Sequence, residues 1–497
     1  MKLISAFAVI LLSFADLSHA VEGQPIILQA AQADYNGKEI LLKGDVTLEH
    51  DLGTIFSDNV TLMQAPTDKN MSFSYIKMQD RVRLDFRDGA QLRCERAYLN
   101  YQDMTGSFFG EGKQPFVSYS DNCYEKNNLS GSFIVQSRQM KVNISKQAST
   151  GSQITDIVAE RDVTVGYQQN FQATADKAIY HRSQSSAGIK SHKQNLEGII
   201  HLESNGDQGY CKVTNSNGDS IFAREISIDT AARNLAFIFP QGKIHVTRDA
   251  ANIEQLDFSA DTMTWDERKD ILTLRDHVIL EQNGFGRLIG DKEIKIFQTS
   301  IEGKKQLQRV QAEGQTILTY LDAGRMLHTL TSYGRLLADH IRGRTMIEAP
   351  RDSQGRFIEG RQVHFQDALG MIDGDKVTLI YDMRDQNLIP KKFIIEGHVH
   401  IRNQFAADPD TNVLPLQYAL ADVVEYIPET KEMLLASREN PRVLFFDKVN
   451  NIQVSAPSLR VKRDPLTQKE SIQGTGDVRF TFVERELEQL KKEFGIE

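Results

Sequence analysis

Cysteine is scarce. The 497 residues include three, Cys94, Cys123 and Cys211, and their spacing matches no metal-ligand pattern. Positive charge is not in excess either. The 58 Lys and Arg are outnumbered by 67 Asp and Glu, and a net charge of −9 argues against a nucleic-acid partner. After residue 20 no segment approaches the ~18 uninterrupted apolar residues of a membrane helix, so a soluble or at most peripheral chain is expected. Catalytic signatures are missing: there is no His-Glu-x-x-His, no phosphate-cradling loop and no Gly-x-Ser-x-Gly turn. The expectation is a chain that is not an enzyme and holds no cofactor or metal.

Residues 1–20 read as an address. Lys2 supplies a short positive region, Leu3 to Phe14 an apolar core, and Ser18-His19-Ala20 small residues ahead of a cut before Val21. Export to an oxidising compartment would allow one disulfide, with Cys94 and Cys123 the nearest pair. Three buried, unpaired thiols are the other reading.

Period-two alternation dominates what remains, and it marks strands with one buried face. In Ile40-Leu41-Leu42-Lys43-Gly44-Asp45-Val46-Thr47-Leu48-Glu49 the even positions are aliphatic or Gly, and the odd ones after Leu41 are polar. The same template recurs around 80, 161, 198, 242, 276, 314, 397 and 476, most often at intervals of roughly 35–45 residues. A second strand type opens with a small residue and an acid: Ser57-Asp58, Ala175-Asp176, Ala260-Asp261, Gly290-Asp291, Gly374-Asp375 and Ala421-Asp422. This acid lies about 15 residues beyond a template centre, which reads as hairpin after hairpin. The acid itself reads as a structural strand-entry residue.

Helical periodicity is confined to 484–497, where Leu487, Leu490 and Phe494 share a face and suggest a short cap on the last sheet edge. Polar stretches near 183–194 and 302–305 suggest joints. The expected organisation is therefore a leader (1–20), β units at 21–182, 195–302 and 306–483, and the helical cap (484–497).

Ala33-Asp34-Tyr35, followed by Gly44-Asp45-Val46-Thr47-Leu48 and Ser57-Asp58-Asn59-Val60, resembles the OstA-like domain. That domain forms LptA-type periplasmic lipopolysaccharide-transport proteins and the periplasmic part of LptD. The pattern is cleanest from Ala260-Asp261 through Val278 to Asp291-Lys292, and the likeness extends over nearly all of the chain after residue 20. The resemblance implies an all-β, elongated, half-open antiparallel β-jellyroll whose apolar interior holds acyl chains. It also implies a periplasmic bridge or chaperone whose partners are lipopolysaccharide, or a lipid A-type glycolipid, and like proteins added by edge-strand pairing. The chain departs from the family in its length and in lacking a large C-terminal barrel.

The residues expected to line the groove are Ile40, Leu42, Val46, Leu48, Phe56, Leu272, Leu274, Val278, Leu280, Ile395, Val399 and Ile401. Gly44, Gly397 and Gly476 would leave room for a tail or a bend, or else mark bulges. His398 and His400 alternate on one strand, but they occupy wet positions with no third ligand nearby, and they read as exposed polar residues. The acids of 257–261 fit no calcium-loop template. A lipid-free β-solenoid scaffold or adhesion protein is the alternative. A carbohydrate-active enzyme on a β scaffold would need stacked carboxylates that do not recur here.

Overall fold

The computed structural model describes residues 27–482 apart from 51, 65–72, 88, 121–132, 148–150, 168–170, 183–197, 205–208, 216–217, 250–251, 283–285, 302–303, 322–326, 369, 385–386, 405–415, 439–441, 449–451 and 464–469. The expected leader and C-terminal helical cap lie outside the described residues. Among the described residues the chain forms 40 strands and no helix. It divides into two compact units, Met1–Pro240 and Gln241–Glu497. The joints expected near 183–194 and 302–305 each fall inside one of these units. The strands on either side of each pair directly, Arg182 opposite Gly198 and Ile301 opposite Lys304.

Alternation places the side chains as expected. In strand Glu39–His50, Leu42, Val46 and Leu48 are buried while Lys43, Asp45 and Glu49 are exposed. Pairing is antiparallel throughout and builds two ladders. In unit 2, strand Ile271–Arg275 pairs with Thr262–Asp266 and Glu293–Ile301, whereas the next strand, Val278–Gln282, pairs with Asn252–Ser259 and Gly286–Gly290. Two residues, Asp276 and His277, separate these strands and send the chain from one ladder to the other. Elsewhere one long strand serves both ladders. Asn387–Gln404 pairs with Lys376–Arg384 along its first half and with Gly370–Gly374 along its second. In unit 1, Glu39–His50, Gly53–Gln64, Phe73–Phe86 and Gly151–Tyr167 run through in the same way.

Most centres of the sequence template are corners between ladders, whereas Gly198 and Gly242 pair within strands, opposite Arg182 and Phe258. Gly44 and Asp45, Asp80 and Arg81, Arg161 and Asp162, Asp276 and His277, and Gly397 and His398 all have positive φ. Two consecutive left-handed residues reorient the strand without changing which face points inward. The buried positions on either side stay four apart: Leu42 and Val46, Ala159 and Val163, Leu274 and Val278, Ile395 and Val399. Glycine or a short polar residue leads most corners because left-handed backbone penalises a branched Cβ. At Gly397 any Cβ would also run into the Asp375 carboxylate. The mid-strand glycines at 44 and 397 therefore serve the bend.

The acid of the second strand type stands opposite the corner. Asp176 alone faces Arg161 and Asp162, Asp422 alone faces Gly397 and His398, and Asp58 alone faces Gly44 and Asp45. These are two-on-one bulges, and on the acid's strand the inward positions are only three apart, as at Ser57 and Val60 or Ala421 and Val424. Where Asp291 and Lys292 both occupy the corner, Gly290 and Ile294 are four apart.

Candidate functional site: the inward apolar face

Eleven of the twelve expected lining residues lie on inward faces. Leu42 is opposite Val60 and Leu48 opposite Ile55, all buried, with Ile40 half-buried opposite Leu62. Val46 is buried opposite Ser57. Leu272 lies between Trp265 and Ile296, and Leu274 between Met263 and Ile294. Val278 is opposite Gly290, and Leu280 lies between Phe258 and Leu288. Ile395 is opposite Val377 and Val424, Val399 is opposite Ala421, and Ile401 is opposite Ile372 and Ala419.

Phe56 is a correction. Its neighbours Ile55 and Ser57 are buried, so it points outward, where the Arg83 guanidinium stacks on its ring at 4.0 Å. The hairpin register puts Ile55, not Phe56, across from Leu48.

The inward face is filled unevenly. In unit 1 most of it is buried from the corner outward: Val60, Leu62, Met78, Val82, Leu84, Leu92, Leu99 and Phe108 are all at 2 % exposure or less, with Ile40 half-buried. In unit 2 the strands between 304 and 384 differ. Next to the corners, Ala312, Thr316, Ser332, Leu336, Ile347, Val363 and Val377 are buried. One step further out, Val310, Leu318, Ala338, Phe365, Ile372 and Leu379 are only half-buried. Side-chain size differs one step out from the corners: Ala338 pairs with Thr345, where unit 1 pairs Leu62 with Ile76 and Leu84 with Leu92. Smaller side chains there cover their neighbours less completely. The expected groove residues missed this region, although its alternation, Val310 to Leu318, is as clear as anywhere.

Aromatic and histidine side chains sit at the inward positions far from the corner. On one ladder Tyr320, His328 and Phe365 stack in a row, with centroids 4.8 and 5.6 Å apart, and His328 Nδ1 is 3.3 Å from the Asp367 carboxylate. On the other ladder the buried Tyr381 places its hydroxyl 3.4 Å from His340 Nδ1.

The corners carry the charge. His277 Nδ1 is 2.8 Å from Asp261, His398 Nδ1 is 2.7 Å from Asp375, and Arg81 Nε donates to Asp58 at 2.8 Å. The hydrogen bond to Asp261 raises the His277 pKa, and the one from Arg81 lowers that of Asp58. The recurring acid is thus a corner partner. His398 and His400 are both exposed, and among the described residues no three His, Cys, Asp or Glu side chains are grouped to hold a metal. Cys94 is a buried free thiol whose pKa burial pushes up to about 12. Cys123 lies outside the described residues.

Residues and pairing thus define an all-β chain of corner-linked antiparallel ladders with an apolar inward face. No helix among the described residues is long and apolar enough to cross a membrane. No family model and no curated protein matches the sequence. Among solved structures, LptH of Pseudomonas aeruginosa, described as the LptA-homologous periplasmic component of its lipopolysaccharide transport device, aligns over 31 % of this chain and 94 % of its own. The identity is 10 % and the TM-score 0.23.

Proposed function

We propose that the protein is a periplasmic, non-enzymatic lipid-binding bridge or chaperone in lipopolysaccharide transport, holding acyl chains against its inward apolar face. One observation carries this reading: between 304 and 384 the inward side chains Leu318, Phe365, Ile372 and Leu379 are apolar yet only half-buried. Apolar surface left uncovered there gains ~0.8 kcal/mol for each methylene that comes to cover it. A flexible hydrocarbon tail suits such a lining, because it can follow the small side chains along the ladder. Edge-strand addition of like proteins is part of the same proposal.

Gel filtration of purified protein with lipopolysaccharide tests it. Co-elution is expected for the natural sequence, and its loss for Leu318→Asp and Ile372→Asp in proteins that still unfold in one cooperative transition. Half-buried positions suit this test better than Val46 or Val278, which are 1 % and 0 % exposed and where a charge would unfold the chain. Binding that survives both substitutions rejects the reading. The lipid-free scaffold is favoured by the filled inward face of unit 1, and it predicts no co-elution at all.

A further inference from the structure

We propose that unit 1 binds a neutral saccharide in a cleft on its outer face beside the Arg161–Asp162 corner. The cleft has a volume of about 370 Å³. Two of its lining side chains are aromatic and exposed, Phe116 at 37 % and Tyr210 at 48 %. Exposed rings at a concave site offer apolar faces that a ligand can cover.

A polar row completes the site. Thr164 is opposite Gln136 on one neighbouring strand and Thr174 on the other, so one amide and two hydroxyls lie side by side across three strands. They alternate with the buried Val135, Val163 and Ala173, and therefore face outward. Such a row supplies both donors and acceptors at fixed spacing. Arg138 steadies one wall, donating to Asp162 at 2.6 Å and stacking on Phe116 at 5.4 Å. Ser204 donates to Asp176 at 2.8 Å on the other.

Charge narrows the ligand class. Asp162 and Asp176 line the cleft, among the described residues no basic side chain lines it, and Arg138 at its wall is already paired with Asp162, so a phosphate or carboxylate would meet like charge. A cation gains little from Asp162, which already pairs with Arg138. A ligand with an apolar ring face and many hydroxyls fits both halves of the site. Its C–H face covers Tyr210 and Phe116, and its hydroxyls meet Gln136, Thr164 and Thr174.

Isothermal titration calorimetry of the full chain tests this, using neutral tetrasaccharides of glucose, galactose, mannose or N-acetylglucosamine. At least one is expected to saturate with a Kd below ~10 mM. Tyr210→Ala should weaken it at least tenfold at an unchanged unfolding temperature, and Gln136→Ala by a smaller factor. No saturation across the panel overturns the proposal, as does binding that survives Tyr210→Ala combined with Phe116→Ala. Tighter binding of spermidine or glucose 6-phosphate at this cleft overturns it too. The tetrasaccharides carry no acyl chain, so this result and the lipid-binding result fail independently.

Discussion

The strands at 39–144 in unit 1 and those at 304–384 in unit 2 follow the same alternation, yet one inward face is more completely filled than the other. Leu84, Leu92 and Phe108 are at 2 % exposure or less, whereas Leu318, Phe365 and Ile372 are half-buried at inward positions. Both regions are antiparallel ladders joined at corners, and one step out from the corners they differ in side-chain size, with Ala338 opposite Thr345 in one and Leu84 opposite Leu92 in the other. Period-two patterning decides which way a residue faces, while the sizes along that face decide whether the fold packs on itself or keeps room for something else.

Truncation separates the two regions most strongly. Leu92→Ala should cost ~2–5 kcal/mol in urea unfolding, because its neighbours leave a cavity. Leu318→Ala should cost less than ~1.5 kcal/mol, since its side chain is already partly in solvent. Equal costs would mean that both faces are packed alike. Enlargement sharpens the contrast from the other side. Ala97→Leu, at 0 % exposure, should cost ~1–3 kcal/mol by overpacking, whereas Ala338→Leu should lie within ~0.5 kcal/mol of neutral.

Corners are common to both units, and breaking one tests their shared part. Gly397→Ala should destabilise by ~1–3 kcal/mol, from strained backbone and the clash with Asp375. Gly355 also has positive φ but nothing near its Cβ, so Gly355→Ala should cost less.

The smallest effect is electrostatic. Asp261 raises the His277 pKa above its usual 6.5, so the protonated ring favours the folded state. That contribution is complete below about pH 6.5 and disappears as pH rises through the folded pKa. His277→Gln should therefore lower the urea midpoint slightly at acid pH and leave it unchanged in alkali. The His277 side chain is exposed, and a midpoint shift that grows with pH would reverse the assignment.

Facing was legible in the sequence residue by residue, because alternation is a local property: Leu42, Leu274 and Val399 point where their pattern says. Most corner positions were legible as template centres, although the centres at 198 and 242 fall within strand pairings, and the left-handed backbone was not legible. The inward spacing across Asp58 and Asp291, three residues in one and four in the other, follows from pairing across the corner, one residue against two or two against two. Phe56 shows the same limit, since hairpin register, not hydrophobicity, turned it outward. Filling was the least legible, because whether Ala338 leaves a gap depends on what stands across from it in space.

Photo-crosslinking tests the central claim, that the inward face at 304–384 is open to lipid while that of unit 1 is filled. Benzoylphenylalanine replaces Phe365 in one protein and Phe108 in another, and each is irradiated with lipopolysaccharide. The predicted result is an adduct at 365 and none at 108. Equal adducts at both positions, or none at 365, would contradict it.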